Sequence, residues 1–328
     1  MQIPQHFGDK RYFSLNEYCK LAFGGKVYRL SLNAGCTCPN RDGSLSVGGC
    51  TFCSEGGSGD FAADYNVSIA SQITEAKTRI QKKTDCNKFI AYFQAYTNTY
   101  APVSHLRKIF TEALEQPEIV GLSIGTRSDC LPEEVLNLLE ELSNLNWNIY
   151  SGSDDTSIHL QKKPIWIELG LQTIHNTTHA RLNTHTSVET FDYAVSHLNT
   201  RSILVIAHVI LGLPGETKEM MLETIKHIAS LPISGVKLQL LHILKRTKLG
   251  LEYEDEPFPL FELEEYCDFI IDCLELLPPN MVVHRLTGDG PRKLLIAPLW
   301  STDKKRVLNT IQKRLKERDT WQGKLFLI

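Results

Sequence analysis

The chain has 328 residues, of which 42% are hydrophobic and 22% are charged, and its formal net charge is −3. This balance is typical of a globular protein of one or two domains, and it provides no overall basic surface for nucleic acid. No run of residues approaches the roughly 18 apolar residues of a membrane span, and the first residues lack the pattern of a secretory signal. Nine unevenly spaced cysteines do not resemble a disulfide framework, so the sequence predicts a cytoplasmic protein without a membrane partner.

The N-terminal segment, residues 1–26, is rich in aromatic side chains and predicts a short helix over 15–22 that packs on the rest of the fold. Residues 27–32 alternate apolar and polar side chains and predict the first strand. A cysteine-rich loop comes directly after this strand. In parallel α/β folds the chemistry collects at the carboxyl ends of strands, so the position of the loop makes it the first functional candidate.

Strands and helices then alternate as far as residue 241. The strands are predicted at 27–32, 88–93, 119–124, 164–169, 203–211 and 235–241, and the helices between them at 68–82, 103–115, 132–145, 188–198 and 218–231. Repeated strand–helix units indicate a parallel sheet with right-handed crossovers. The predicted fold is therefore α/β, a partial (β/α)6 barrel related to the eightfold barrel, and a doubly wound open sheet is the alternative. Neither a dinucleotide-binding fingerprint nor a P-loop is present.

The C-terminal region predicts an α+β extension. It contains a helix over 263–277, a strand over 282–286 and a basic helix that ends the chain. The predicted organisation is an N-terminal segment (1–26), a barrel core (27–245) and the extension (246–328).

The cysteine loop places four cysteines within eighteen residues, as Cys-x-Cys, a gap of eleven residues and Cys-x-x-Cys. Thiolates at this density select zinc or an iron–sulfur cluster. A closed structural zinc site would use Cys36, Cys38, Cys50 and Cys53. The spacing alone leaves zinc and iron–sulfur open.

Four motifs in order resemble one branch of the radical S-adenosylmethionine (SAM) enzymes, the YhcC/YtqA-like (MnmL-type) family, which is related to the elongator catalytic subunit. They are Cys-Pro-Asn-Arg-Asp-Gly with Gly-Gly-Cys-Thr-Phe-Cys (38–53), Glu-Leu-Gly-Leu-Gln-Thr (168–173), Gly-Leu-Pro-Gly-Glu-Thr (212–217) and His-Arg-Leu-Thr-Gly-Asp (284–289). The resemblance covers nearly the whole chain. It implies that Cys38, Cys50 and Cys53 hold a [4Fe-4S] cluster, that Cys36 is not a ligand, and that the open iron binds SAM.

The resemblance also implies contacts to SAM at the strand ends. The implied residues are Gln94, Tyr96 and Asn98 after the second strand, Glu168 and Gln172 at the fourth, and Gly212 after the fifth. Ordinary alternatives are a solvated loop, a structural ion pair and a tight turn, respectively. The sequence departs from the family at Thr184, where relatives carry an arginine for the SAM carboxylate. Arg181, one turn earlier, is the replacement that we expect, unless SAM binds more weakly or the substrate differs.

Substrate contacts are expected at the ends of the fifth and sixth strands, from His208, Lys237, His242 and Lys245. Arg285 and Asp289 are expected to order the C-terminal segment over the barrel mouth or to form a structural ion pair. The basic C-terminal helix offers an RNA-contacting surface, and its alternative is a solvated amphipathic helix. Its basic residues are Lys304, Lys305, Arg306, Lys313 and Arg314.

The resemblance implies a radical SAM enzyme that modifies the wobble uridine of tRNA, converting a 5-carboxymethylaminomethyl to a 5-aminomethyl side chain. Such an enzyme needs a reducing electron donor of the flavodoxin or ferredoxin type. Two alternatives remain: a radical SAM enzyme acting on a small molecule or a protein, and a zinc-stapled binding module without chemistry.

Overall fold

The computed structural model describes residues 2–57, 59, 62–150, 157–288 and 290–327. In chain order the strands are β1 Tyr28–Leu32, β2 Phe89–Phe93, β3 Ile119–Thr126, β4 Asn146–Tyr150, β5 Ile158–Lys162, β6 Ile165–Gln172, β7 Leu204–Leu211, β8 Gly235–Leu240, β9 Ile243–Leu244, β10 Val282–Arg285 and β11 Leu295–Ala297. The helices are α1 Leu15–Phe23, α2 Ile69–Gln81, α3 Val103–Leu114, α4 Glu133–Asn144, α5 Asn176–Leu182, α6 Val188–Thr200, α7 Lys218–Ser230, α8 Lys248–Asp255, α9 Leu263–Leu276 and α10 Lys304–Glu317.

Seven strands form one parallel sheet in the order β1-β2-β3-β6-β7-β8-β10. Every residue of β2 is buried, as expected for a parallel strand covered on both faces. Lys237 on β8 donates a hydrogen bond to the Tyr92 hydroxyl on β2 at 3.0 Å, and Arg29 on β1 contacts His284 on β10 at 2.5 Å. Strands so far apart in the order meet only if the sheet curls. The predicted partial α/β barrel is therefore confirmed, and the open sheet is wrong.

Three of the helices between the strands, α2, α6 and α7, begin where a hydroxyl side chain caps them. Ser68, Ser187 and Thr217 each accept a hydrogen bond from a backbone N–H in the first turn of α2, α6 and α7. Such a cap satisfies a donor that the helix leaves unpaired, which stabilises the helix start. The caps make these helix starts readable from the sequence.

The seventh strand of the sheet comes from the C-terminal region. The sequence predicts the strand itself, but its place beside β8 is visible only in the fold. The backbone N–H of Val283 on β10 also donates to the Phe13 carbonyl at 2.8 Å, which joins the N-terminal segment to this edge. Hydrophobic periodicity reports which face of a strand is buried, and it does not report which strand lies next to it.

The structure adds short elements that the sequence pattern did not indicate. β4 and β5 form an antiparallel hairpin, and all five residues of β5 are exposed, so the strand carries no alternating pattern of burial. The short helices α5 and α8 contain seven and eight residues, too few for a clear helical period. Among the described residues, no helix has the length and apolar character that crossing a membrane requires.

We expect Gly235→Ala to destabilise the protein by about 1–3 kcal/mol through overpacking. A Cβ at Gly235 would lie 2.8 Å from the Val282 carbonyl oxygen and 2.8 Å from His284 Nε2, both on β10. Gly25→Ala is the matched control, because a Cβ there meets nothing within 4 Å. Urea unfolding of the two variants measures the difference. Equal stabilities would contradict the close packing of β10 on β8.

Candidate active site

A cavity lies at the carboxyl ends of the barrel strands, and the cysteine loop after β1 forms one of its walls. The cavity reaches from Cys38, Cys50 and Cys53 to the interior side chains of β6, β7 and β8. A second cavity adjoins it on the side of the C-terminal region. Residues that line both cavities include Phe52, Cys53, Gln94, Gln172, His208, Gln239 and Arg285.

The cysteine loop folds back on itself through backbone hydrogen bonds. The Cys38 carbonyl accepts the N–H of Arg41 at 2.8 Å, and the Asn40 carbonyl accepts the N–H of Gly49 at 2.8 Å. Gly49 has a φ of +78°, and a Cβ there would lie 2.8 Å from Arg41 Nε. Glycine is therefore required at position 49 both for its backbone conformation and for the close approach of Arg41.

The thiols of this wall interact with one another. Hydrogen bonding with Cys53 lowers the pKa of Cys50 to about 7 against the effect of burial, and Asn40 contributes through a bond from Nδ2 to Sγ at 3.4 Å. The same pairing, together with burial, raises the pKa of Cys53. Cys36 lies in the hydrophobic core, outside the cavity lining, and burial raises its pKa to about 12. The cavity wall therefore presents three cysteines rather than four.

A buried carboxylate, Glu168 on β6, occupies the centre of the barrel interior. Its side chain is wholly buried and accepts a hydrogen bond from Ser123 at 2.8 Å. Lys237 on β8 forms an ion pair with it, and Arg29 on β1 lies at 3.8 Å. Burial opposes the ionisation of Glu168, but Lys237 and Arg29 outweigh it and hold its pKa well below the usual range.

His208 and Tyr92 complete this network. His208 on β7 lies beside Lys237 in the β7–β8 register, and its Nε2 is 2.9 Å from the Glu168 carboxylate. Burial and the neighbouring Lys237 lower the pKa of His208 to about 4, so the ring is neutral at pH 7 and donates from Nε2. Burial raises the pKa of Tyr92, which keeps its hydroxyl protonated. The network is a fixed array of charge and hydrogen bonds along one edge of the cavity.

Comparison with known proteins decides the family. A model described as the radical SAM superfamily matches residues 36–228, and a model of the radical SAM C-terminal domain matches residues 233–317. The chain belongs to the radical SAM superfamily. The match begins at the cysteine loop and continues through the strands that surround the cavity. Membership implies a [4Fe-4S] cluster and SAM as the cofactors.

Relatives in three organisms place the chain in the YhcC/YtqA-like radical SAM family. YtqA of Bacillus subtilis (strain 168) is 42% identical over 99% of this chain and 95% of its own length. YhcC of Escherichia coli (strain K12) is 34% identical over 90% of this chain and 89% of its own length. MJ0486 of Methanocaldococcus jannaschii is 34% identical over 94% of this chain and 90% of its own length.

The fold is also found in solved structures, among them an archaeal one. The archaeal Elp3 of Methanocaldococcus infernus superposes with a TM-score of 0.64 at 16% identity. The superposition covers 90% of this chain and 64% of the Elp3 chain. At this identity the likeness concerns the radical SAM fold alone.

The cavity wall fits the cofactors that the family implies. Thiolates are the ligands of iron–sulfur clusters, and Cys38, Cys50 and Cys53 line one wall. Gln172, with a φ of +69°, carries a buried Oε1 that accepts no hydrogen bond from any described residue, and it lines both cavities. An orphaned buried acceptor of this kind is suited to a donor on a bound molecule. No three His, Cys, Asp or Glu side chains in the described ranges form a site for a single metal ion.

The other residues predicted to contact SAM occupy different positions. Gln94 and Tyr96 line the cavity, whereas Asn98 is buried and donates from Nδ2 to the carbonyls of Phe93 and Gly125. Glu168 reaches the cavity but is already engaged by its own network.

Gly212 and Arg181 lie outside the lining of both cavities. The Gly212 N–H points to the sulfur of Met221 at 3.1 Å. Arg181 is paired with Glu252 and stacks on Phe258, contacts that give no support to its predicted role at the SAM carboxylate.

Of the residues predicted to contact the substrate, some line the cavities and one does not. His208 and Lys237 line the main cavity, and His242 lines the adjoining one, where the Gly290 N–H lies 3.1 Å from its Nδ1. Lys245 lines neither cavity, and its backbone N–H donates to the Leu294 carbonyl. Arg285 lies at the junction of the cavities and donates to Gln239 at 3.1 Å, and its predicted partner Asp289 falls outside the described residues.

The basic residues of α10 are partly neutralised by the acidic helix α9. Arg314 forms a bond of 2.7 Å with Asp268, and Arg306 lies 3.8 Å from Glu264. Lys313 pairs with Glu317 within α10. Lys304 and Lys305 are exposed at the start of the helix. The surface predicted for RNA is therefore less positive than its composition indicates.

The sequence did not single out four charged or polar residues at the site. Arg41 and Arg127 flank the cysteines, and Arg29 and Tyr92 belong to the Glu168 network. Arg41 stands within the cysteine loop, and Arg127 comes after β3, so position at a strand end was the signal that could have found them. Arg29 and Tyr92 lie inside strands, and only the curl of the sheet joins them to Glu168.

We expect His208→Gln to reduce the loss of stability on mild acidification. The folded pKa of His208, about 4, lies below its unfolded value of 6.5, so between these values the unfolded chain binds a proton that the folded chain does not. The contribution of the neutral His208 ring to the free energy of unfolding is therefore fully present above pH 6.5 and is lost as the pH falls towards 4. From pH 7 to pH 5 it amounts to about 2 kcal/mol for a group with this shift.

Urea unfolding of both proteins at pH 7 and pH 5 measures this effect. The variant should lose about 2 kcal/mol less than the wild type between the two pH values. The remaining histidines are shared, so their contributions cancel in the comparison. An equal loss in both proteins would contradict the neutral, buried His208.

Proposed function

We propose that this chain is a radical SAM enzyme in which Cys38, Cys50 and Cys53 hold a [4Fe-4S] cluster, and that its substrate is a wobble uridine of tRNA. The observation that carries the proposal is the position of three cysteine thiols on one wall of a cavity that continues into a polar barrel interior. When bound, the cluster and SAM supply a 5′-deoxyadenosyl radical that removes a hydrogen atom from the substrate.

The residues at the strand ends have binding roles in this proposal. Gln94, Tyr96 and Gln172 line the cavity next to the cysteine wall and contact SAM, with Gln172 Oε1 accepting a hydrogen bond. Asn98 contributes indirectly, because its amide ties the end of β2 to Gly125 at the end of β3. Its two bonds hold the loop that carries Tyr96.

The chemistry of the cavity supports a substrate with a carboxylate and an amide-like ring. Arg285 lines the cavity as a cationic donor, and a 5-carboxymethylaminomethyl side chain carries a carboxylate that such a group binds. Gln94 and Gln239 present amide groups at the junction of the two cavities. An amide both donates and accepts hydrogen bonds, which matches the edge of a uracil ring. In the proposed reaction the carboxymethyl carbon gives one hydrogen atom to the 5′-deoxyadenosyl radical and one electron to the oxidised cluster. Water then cleaves the resulting C=N bond, which releases glyoxylate and leaves a 5-aminomethyl group on this ring.

The proposal for tRNA also draws on the relationship of the family to the elongator catalytic subunit and on the fold shared with archaeal Elp3. Exposed Lys304 and Lys305 are the proposed RNA contacts of α10. Arg306, Lys313 and Arg314 are the other proposed contacts, and an acidic neighbour pairs with each of them. This partial neutralisation is the observation that favours the second candidate, a radical SAM enzyme for a small molecule or a protein.

The cluster needs a one-electron donor of the flavodoxin or ferredoxin type, and this is the partner that we propose besides tRNA. All nine cysteines are free thiols. Free thiols accord with the reducing cytoplasm, which is the location that we propose for the chain.

Replacing Cys38, Cys50 or Cys53 by Ala should abolish cluster binding, because each removes a thiolate from the wall. After anaerobic reconstitution the wild type should hold about four irons per chain, and the three variants almost none. The matched control is Cys36→Ala, which removes a thiol outside the cavity lining and should keep its iron. Iron and sulfide analysis with an absorption spectrum measures this. One tightly held zinc and no iron in the wild type would instead support the zinc-stapled module.

Adding tRNA that carries 5-carboxymethylaminomethyluridine to the reduced enzyme with SAM should release 5′-deoxyadenosine and convert the nucleoside. Mass spectrometry of the digested tRNA detects the 5-aminomethyl product. The control is the same tRNA made without the modified side chain, which should remain unchanged. Cleavage of SAM without any change in the modified nucleoside would favour the small-molecule or protein substrate.

A further inference from the structure

Two guanidinium groups flank the cysteine wall. Arg41 lies on the side of Cys53, where its Nη2 donates to the carbonyls of Cys53 at 3.3 Å and Ser54 at 2.5 Å. Arg127 follows directly after the end of β3. Both arginine side chains line the cavity that contains the three thiols. The thiols therefore share the cavity with two cations.

The two arginines differ in their counter-ions. Arg127 forms a bidentate ion pair with Asp129, at 2.8 and 2.6 Å, so much of its charge is neutralised. Among the described residues, Arg41 donates hydrogen bonds to the carbonyl oxygens of Cys53, Ser54 and Glu55, and no described carboxylate forms an ion pair with it. Arg41 thus presents the fuller positive charge to the thiol wall.

Asn40 adds a hydrogen bond directly to a sulfur. Its side chain is wholly buried, and Nδ2 lies 3.4 Å from Cys50 Sγ. The same Nδ2 donates to the Asn183 carbonyl at 2.6 Å, which fixes its orientation. A fixed N–H group at a ligand sulfur stabilises negative charge on that sulfur.

We propose that Asn40 and Arg41 set the reduction potential of the cluster by stabilising its reduced form. The oxidised cluster takes one electron from a reductant of the flavodoxin or ferredoxin class and gains one negative charge. A positive charge and an N–H donor beside the sulfurs favour that more negative state, so they raise the potential. Arg127 acts in the same direction and more weakly, because Asp129 offsets it. This inference rests on the proposed cluster.

Asn40 and Arg41 are positioning residues in this proposal, because they affect the substrate only through the cluster. Arg41 cannot be replaced by a neutral side chain without loss of charge, whereas lysine keeps the charge and loses the fork of donors. The pair Arg41→Gln and Arg41→Lys therefore separates an electrostatic role from a structural one. Asn40→Ser provides an independent variant, which shortens the side chain and removes the N–H···S bond.

The experiment is a redox titration of the reconstituted full chain, with electron paramagnetic resonance of the reduced cluster as the readout. Arg41→Gln and Asn40→Ser should shift the midpoint to more negative potential, and Arg41→Lys should stay close to the wild type. Arg127→Gln should shift it in the same direction by less than Arg41→Gln. Arg79→Gln, on the exposed face of α2 and paired with Glu75, is the control and should not shift it.

The outcomes distinguish the two proposals. If the wild type takes up no iron and gives no resonance signal, the proposed cluster and this inference both fail. If clusters form but neither Arg41→Gln nor Asn40→Ser moves the midpoint, this inference alone is overturned. If Arg41→Gln holds no cluster, the shift in Asn40→Ser decides, with an unchanged midpoint counting against the proposal.

Discussion

The buried ion pair between Glu168 and Lys237 is the constraint on which the barrel interior depends. Both side chains are almost completely buried, and an isolated charge in a buried position would cost several kcal/mol. Each charge is therefore tolerable only because the other is present, with Ser123, His208 and Tyr92 supplying hydrogen bonds. These partners come from β2, β3, β7 and β8, so the pair requires the sheet to curl. Arg29 on β1 extends the network to His284 on β10, the two outer strands of the sheet.

This polar interior determines what kind of site the cavity can form. An apolar barrel centre would leave this edge of the cavity without charged groups, whereas the Glu168 network places Lys237 and His208 along it. The network also removes Glu168 from the set of residues available to a cofactor, because its oxygens are already occupied. The part of the cavity next to the cysteines relies on Gln94, Tyr96 and Gln172 instead.

The cysteine loop is held by a separate set of contacts on the opposite wall. Glycine at position 49 lets Arg41 pass close to the backbone, and Arg41 in turn ties the loop to the carbonyls after Cys53. Arg127, directly after β3, instead binds the carbonyls of Thr184 and His185, which follow α5. The cysteine loop is thus held by Arg41, and the proposed tuning of the cluster would rest on the same side chain.

The sequence by itself determined the order of the barrel elements and the position of the cysteine loop after the first strand, because these depend on local periodicity and on spacing within one loop. The choice of Cys38, Cys50 and Cys53 over Cys36 came from the family resemblance, since spacing alone left all four cysteines open. It also predicted Gln94, Tyr96, His208 and Lys237, all of which line the cavity. Only the tertiary structure decided that Glu168 is engaged by Lys237, that Arg181 turns away to Glu252, and that β10 completes the sheet. The physical reason is the curl of the sheet. It brings Lys237 into contact with Tyr92, 145 positions away in the chain, and His284 into contact with Arg29, 255 positions away. No local pattern in a single sequence records contacts over such separations.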